Sequence, residues 1–226
     1  MTQALVTRRN ALRLGTALGA GILATPFISR TGLAADEPIK LGSLLDGTGA
    51  IGIEGRRMIQ TTEYAVSQLN AAGGLLGRQI KIFAYDTQSS MQLYSQYAQQ
   101  LALKDKVDVI QGGITSASRE AVRPVFDRAK ILYFYNTQYE GGVCDRNVFC
   151  TGTTPAQTVE HVVAYAMKTW GKKAYIIAAD YNYGQITAKW MTKFARDGGG
   201  SVAATDFFPL DVTNFASAIS RIQQAA

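Results

Sequence analysis

Two patterns of apolar and polar residues alternate along the chain from residue 39 onward. Short apolar runs such as "IKLGSLL" at 39–45 are typical of strands buried on both faces of a parallel sheet. Amphipathic stretches with apolar residues three or four positions apart lie between these runs and predict helices. Strands are predicted at 39–45, 78–86, 106–113, 131–136, 172–180 and 201–209, and helices at 54–74, 91–105, 116–130, 158–170, 184–197 and 214–225. This alternation predicts an α/β fold with parallel sheets flanked by helices.

A polar, cysteine-bearing loop at 138–155 interrupts the alternation and contains a short predicted strand, "NVFCTG" at 147–152. Four β-α units precede it and two follow it, which favours two α/β lobes joined by a crossing. We place the N-terminal lobe at 36–140, the inter-lobe crossing at 141–155 and the C-terminal lobe at 156–226. Two β-α units do not easily enclose a core from both sides, so the second lobe is expected to be incomplete. Pro124 is expected to interrupt the helix that contains it.

The charge of the chain is concentrated at its N-terminus. The formal net charge is +6, but the first 35 residues hold four of the 23 basic residues and no acidic one. The remaining 19 basic and 17 acidic side chains leave a net charge of +2. Because this charge is small and forms no basic stripe, nucleic acid is not an expected partner.

The same N-terminal residues predict an export signal over 1–35. "TRRNALR" at 7–13 precedes an apolar stretch of 15 residues, and small residues follow near 32–35. Fifteen residues fall short of the roughly 20 that a membrane-spanning helix needs. Arg8 and Arg9 resemble a twin-arginine signal, and an ordinary secretory signal is the alternative. No cysteine lies near the cleavage region, so we expect a periplasmic protein without a lipid anchor.

Cys144 and Cys150 are the two cysteines of the chain. An even pair in an exported protein predicts a disulfide, and two independent buried thiols are the alternative. With one histidine, His161, the chain offers too few ligands for a zinc site of the usual kind. His161 lies off the apolar stripe of its helix and is expected at the surface. No metal site and no catalytic residue is predicted.

"DGTGAIG" at 46–52 places glycines in a G-x-G-x-x-G pattern after the first strand. In a dinucleotide-binding fold, the helix begins inside this pattern and an acidic residue follows about 20 positions later. Here the helical pattern begins only near Glu54, and the acid that ends the second strand is Asp86, 34 residues after Gly52. We therefore interpret the loop as a flexible β-α connection. Asp46, Thr48 and Gly49 are expected to border a site.

Five segments resemble a known family in order and spacing: "NAAGGLLGRQI", "TSASREAVRPVF", "QYEG", "NVFCTG" and "DYNYG". Together they resemble the type 1 periplasmic binding proteins of ABC transporters, a fold of two lobes. The resemblance is to the branch that serves urea and short-chain amides, which is related to the Leu/Ile/Val binders. It runs from Ile39 to the last residue and covers the first half of such proteins or slightly more.

The resemblance implies a ligand site between the lobes. Ser116 matches a position that contacts the ligand, and Tyr181 and Tyr183 match positions that close over it. The ligand-binding residues predicted from the family and from their place after strands are Ser116, Ser118, Thr137, Gln138, Tyr139, Glu140, Tyr181 and Tyr183. The alternatives are helix capping for the serines, a loop ion pair for Glu140 and shielding of an apolar edge for the two late tyrosines.

The expected function is therefore that of a solute-binding component of an ABC importer, which requires no cofactor and no catalysis. Its expected partners are a small polar solute (urea, a short-chain amide or a branched-chain amino acid) and a membrane permease. Two alternatives remain from the sequence. One is an exported dinucleotide-dependent oxidoreductase, and the other is an amide-sensing binding module.

Overall fold

The computed structural model describes residues 37–225, so the predicted export signal lies outside the described residues. Its strands are β1 Ile39–Leu45, β2 Ile80–Asp86, β3 Val109–Gly112, β4 Leu132–Tyr135, β5 Val148–Cys150, β6 Lys173–Ala179 and β7 Ser201–Phe208. Its helices are α1 Gly52–Ala71, α2 Met91–Gln99, α3 Ser116–Ala129, α4 Val159–Trp170, α5 Asn182–Asp197 and α6 Ala216–Ala225, and a π-helical turn at Gln100–Asp105 continues α2.

These strands form two parallel sheets. The first has the order β2-β1-β3-β4-β5, and the second pairs β6 with β7. Every ladder is parallel. A helix lies between consecutive strands except between β4 and β5, which are connected by a loop at 136–147. The predicted α/β class with helix-flanked parallel sheets is confirmed.

The short strand β5 extends the first sheet beyond its predicted limit. It lies inside the segment predicted as the crossing, yet it pairs with β4 in the register Tyr133↔Val148 to Tyr135↔Cys150. Val148 and Cys150 pack against the first core, whereas Phe149 stacks on Phe134 at 5.1 Å between ring centroids. The first sheet therefore reaches residue 150, ten residues past the boundary placed at 140, because β5 contributes apolar contacts to both of its faces.

The main core lies between the first sheet and helices α2 and α3. Its fully buried members include Leu44, Tyr94, Leu101, Ile110 and Phe126. Burying a side chain of this size contributes about 1.5–3 kcal/mol, so this cluster is the main source of stability for the first sheet.

Helix α3 continues through Pro124, contrary to the expected interruption. Proline removes the hydrogen bond that its N–H would donate to the carbonyl of Glu120. Pro124 lies on the exposed side of the helix, away from the sheet. Val122 and Phe126 on the buried side keep the helix docked on the sheet, so packing outweighs the lost bond.

The second sheet has a smaller core. Val163, Met167 and Ala195 are buried where α4 and α5 pack on β6 and β7. Residues from Pro38 onward group with the first sheet in one compact unit. Within residues 37–225, no helix combines the length and hydropathy needed to cross a membrane.

Candidate functional site

The glycine-rich loop after β1 is held by a carboxylate of the protein itself. Asp86 Oδ1 accepts hydrogen bonds from the N–H of Gly47 (2.8 Å) and of Thr48 (3.2 Å), and Oδ2 accepts from the Thr48 hydroxyl at 2.9 Å. Burial acts to raise the pKa of Asp86, but these bonds and one from the N–H of Gln88 lower it overall. The N–H groups that a dinucleotide phosphate would need are occupied, so the loop is built as a structural turn.

Asp46, at the end of β1, has a similar structural role. It is fully buried and accepts hydrogen bonds from the hydroxyls of Thr87 and Tyr94, both at 2.7 Å, and from the N–H of Ser89 at 2.6 Å. Its oxygens therefore join β1 to the β2–α2 connection. Together with Asp86, it fixes the loop that follows β1.

The N-terminus of α3 carries two of the predicted ligand-binding serines, and they differ. The Thr115 hydroxyl caps the helix by accepting from the N–H of Ser118 at 3.1 Å. The Ser118 hydroxyl is fully buried and donates to the carbonyl of Thr115 at 2.7 Å. Thr115 therefore caps the helix, and the Ser118 hydroxyl is bonded within the first turn. The ligand contact of Ser118 stays a prediction.

Ser116 and Glu140 meet in a buried cluster. The Ser116 hydroxyl donates to Glu140 Oε2 at 2.7 Å, and both residues are 1% exposed. The same carboxylate forms a bidentate pair with Arg119, in which Nη1 donates to Oε2 at 3.2 Å and Nη2 donates to Oε1. Of the two roles open for Glu140, the structure shows the ion pair.

Arg119 is the central residue of this cluster, and sequence reasoning missed it. Its guanidinium lies 4.8 Å from the ring centroid of Tyr135 and 5.2 Å from that of Tyr139, so it is held between two aromatic faces. Burial acts to lower its pKa, but Glu140 raises it overall. A signal was present: Arg119 shares a helical face with Val122 and Phe126, and an arginine on an apolar face predicts a buried carboxylate.

The segment that follows β4 places the other predicted residues of the first sheet. The Thr137 hydroxyl donates to the carbonyl of Ile114 at 3.0 Å, and Tyr139 accepts from the N–H of Val143. Gln138 is exposed. This segment lies directly against Gly152, where a Cβ atom would come 1.8 Å from the Thr137 carbonyl oxygen, so glycine is required there.

Tyr181 and Tyr183 lie where the chain passes from β6 into α5: Tyr181 precedes the helix, and Tyr183 lies in its first turn. The passage from β6 to α5 is tight, because a Cβ atom at Gly184 would come 2.0 Å from the Ala179 carbonyl oxygen. The two half-buried rings stack with centroids 6.1 Å apart. Burial raises the pKa of Tyr181 to about 12, with further contributions from Tyr135, Tyr183 and Glu140. Burial and Glu140 also raise the pKa of Tyr183. Both phenols therefore remain protonated near neutral pH, and the negative charge of Glu140 contributes to this.

A second residue that sequence reasoning missed connects the two sheets. Trp190, on α5, donates its indole N–H to the backbone carbonyl of Glu140 at 2.9 Å. The apolar pattern of α5 predicts Trp190 as a packing residue, and nothing in that pattern identifies its partner. The site therefore includes Ser116, Arg119, Glu140 and Trp190, with Tyr181 and Tyr183 nearby.

A comparison with family models identifies the family of the chain. The sequence profile described as periplasmic binding protein matches residues 38–226. The chain belongs to the periplasmic binding protein family. Its homologues are binding proteins of transporters and not enzymes, which agrees with the engagement of the glycine loop by Asp86 and answers the oxidoreductase alternative.

Relatives within the periplasmic binding protein family are distant in sequence. Leu/Ile/Val-binding protein homolog 8 of Brucella suis biovar 1 is 26% identical over 229 residues, which cover 96% of this chain and 55% of that protein. Leu/Ile/Val-binding protein homolog 7 of Brucella abortus (strain 2308) is 24% identical over 203 residues, which cover 84% of this chain and 51% of the relative. The chain therefore spans about half the length of the curated relatives it matches.

Solved structures show the same fold. A periplasmic binding protein from Burkholderia mallei superposes with a TM-score of 0.76 at 20% identity, covering 83% of this chain and 51% of the other. A branched-chain amino acid transporter substrate-binding protein from Streptococcus pneumoniae, in complex with isoleucine, has a TM-score of 0.69 at 21% identity, covering 82% and 54%. At these identities, the likeness shows the fold alone.

The remaining predicted residues are placed as follows in this periplasmic binding protein. Cys144 and Cys150 are free cysteines, so the predicted disulfide is not formed in the structure. Cys144 lies on an exposed loop, whereas the β4 ladder holds Cys150 in β5 with its side chain against the first core. His161 is exposed, as expected. In the described part of the chain, no group of three His, Cys, Asp or Glu side chains is arranged to hold a metal ion.

Proposed function

We propose that this chain is a solute-binding component of an ABC importer that captures a small nitrogen-containing solute between its two sheets. The solute classes are urea, a short-chain amide and a branched-chain amino acid. One observation carries the proposal. The carboxylate of Glu140 bonds Ser116 at the start of α3, and the carbonyl of Glu140 bonds Trp190 of α5. Helix α5 begins next to Tyr181 and contains Tyr183 in its first turn, so the Ser116–Glu140 pair and the two tyrosines come from different sheets joined by this bond.

The hydrogen-bonding capacity of these groups supports a solute with both donors and acceptors. The Ser116 hydroxyl proton is donated to Glu140, so its oxygen offers a lone pair to an N–H group of a solute. The protonated phenols of Tyr181 and Tyr183 offer O–H donors to a carbonyl. Urea and short-chain amides carry N–H and C=O groups side by side, which fits this pairing.

The charges at the site support a solute without net charge. Glu140 is neutralised by Arg119, and Arg119 also pairs with Glu120. An ionic solute would bring an unpaired charge into a buried site, which is unfavourable. Urea, an amide and a zwitterionic amino acid all meet this condition.

The comparisons keep branched-chain amino acids among the candidates. Two relatives are named as Leu/Ile/Val-binding homologues, and the Streptococcus pneumoniae structure holds isoleucine. The proposed location is the periplasm, without a lipid anchor, and the proposed macromolecular partner is the membrane permease of the transporter. Closure of the two sheets around the solute would present the two sheets together to that permease.

Calorimetry of the intact protein against urea, formamide, acetamide and L-leucine tests the proposal. We expect saturable binding of at least one of these solutes. Ser116→Ala should weaken that binding by about 1–3 kcal/mol, since a buried polar group of the solute loses its partner. The matched control is His161→Ala, which removes an exposed side chain and should leave affinity unchanged. Absence of binding by all four solutes, or equal affinity in Ser116→Ala, would contradict the proposal.

A further inference from the structure

Trp190 makes a contact that packing alone does not require. Its ring stacks on Phe194, with centroids 5.6 Å apart, so α5 already supplies an apolar partner. In addition, the indole N–H is aimed across to the first sheet and donates to the Glu140 carbonyl at 2.9 Å. This hydrogen bond connects a helix of the second sheet directly to a residue of the candidate site.

Glu140 is thereby held at both ends. Ser116 and Arg119 bind its carboxylate, and Trp190 binds its carbonyl. Gly141 and Gly142 follow with φ angles of +94° and +93°, so the next two residues have no side chain with which to anchor the segment. The hydrogen bond from Trp190 therefore holds the backbone of Glu140 in place immediately before the two glycines.

The Trp190 side chain borders open space, so its exposure to solvent can change. The indole borders a cavity of about 360 Å³ that also contacts Glu140, Gly141 and Ile186. A small shift of α5 would change how much water reaches the ring. A solute that bonds Ser116 would act on Glu140, and hence on the carbonyl that Trp190 holds.

We infer that Trp190 is a positioning residue that couples solute occupancy at Ser116 and Glu140 to helix α5. This inference rests on the proposed solute-binding function. It adds to that function the residue through which binding of solute at the site changes the position of the second sheet. Trp190 does not contact the solute in this scheme and acts through Glu140.

The two tryptophans of the chain permit a direct test by fluorescence. Trp170 is 78% exposed and lies on α4, so Trp170→Phe leaves Trp190 as the single tryptophan reporter. We expect the emission of this variant to change saturably with whichever of urea, formamide, acetamide or L-leucine binds, at the calorimetric dissociation constant. The matched control, Trp190→Phe, keeps an aromatic side chain, smaller than indole, and removes the N–H, so its Trp170 emission should not respond. Its affinity should fall about fivefold, the effect of one neutral hydrogen bond.

Hydrogen–deuterium exchange tests the coupling without any solute. Amides at 140–143 should exchange faster in Trp190→Phe than in the natural protein, because the segment loses the indole hydrogen bond at Glu140. Calorimetric binding with no change in Trp190 emission, or with undiminished affinity in Trp190→Phe, would overturn the coupling while leaving solute binding intact. Absence of calorimetric binding by all four solutes would count against the proposed function, and equal exchange at 140–143 would then also overturn the role of Trp190.

Discussion

Removal of the Arg119 guanidinium should be among the most damaging single changes in the first sheet. The side chains of Arg119 and Glu140 are 2% and 0% exposed, so Arg119→Met leaves a carboxylate buried without its counter-ion. Breaking a buried ion pair from one side costs about 3–5 kcal/mol. Methionine keeps apolar contact with the rings of Tyr135 and Tyr139, so the loss reports the charge more than the packing.

Guanidinium chloride unfolding followed by circular dichroism would measure the change, and guanidinium avoids urea, a candidate ligand. A domain of this kind has about 5–15 kcal/mol of unfolding free energy, so the expected loss is readily resolved. The control is Lys193→Met, whose pair with Asp197 is more than half exposed on both sides. This exposed pair should contribute about 0–1 kcal/mol.

The double variant Arg119→Met/Glu140→Gln separates charge from shape. It removes both charges, so it should regain at least half of the free energy lost in Arg119→Met alone. A loss below about 1 kcal/mol in the single variant, or a double variant as unstable as the single, would refute the reasoning from a buried charge.

Three further predictions concern pH, the glycine loop and the thiols. Burial acts to raise the pKa of Glu140, but Arg119 and Ser116 lower it overall. The ionised carboxylate therefore stabilises the folded protein fully above the unfolded pKa of about 4.3. This stabilisation is lost as the pH falls through the lower folded pKa. Unfolding at pH 5 and pH 3 should therefore show a smaller acid loss in Glu140→Gln than in the natural protein, and an equal loss would contradict this. Asp86→Ala should lower the unfolding free energy by about 1–3 kcal/mol, since the N–H donors of the glycine loop lose their acceptor; no change in unfolding free energy would count against the clamp. Cys144 should react with iodoacetamide faster than Cys150, because Cys144 is exposed and burial raises the pKa of the Cys150 thiol; a peptide mass showing both cysteines in one disulfide would contradict this order.

The alternation of apolar runs and amphipathic stretches was enough to predict the elements of this fold. β1 was predicted at 39–45 and is observed at Ile39–Leu45, because a run of apolar residues bounded by polar ones has few other solutions. β5 was different. A strand of three residues joins whichever sheet buries its side chains, and that choice depends on Val148 and Cys150 meeting a core formed elsewhere in the chain.

The candidate site was predicted less completely than the fold. Ser116 was predicted through the family resemblance and Glu140 from its place in the loop after a strand. The bond between them joins residues 24 positions apart and is fixed by tertiary packing. Arg119 carried a signal that could have been used, since a charged residue interrupts an apolar helical face. The acceptor of Trp190 is a backbone carbonyl 50 residues away. Because every residue type has a backbone carbonyl, the sequence does not indicate which residue accepts this bond.

A crystal structure of the protein grown in saturating acetamide, with a parallel crystal in L-leucine, tests the central claim most directly. The account predicts solute density at the start of α3, with an N–H group within hydrogen-bond distance of Ser116 Oγ and a carbonyl facing the hydroxyl of Tyr181 or Tyr183. Density for the solute only at other surfaces, with water at Ser116 and the tyrosine hydroxyls, would contradict it.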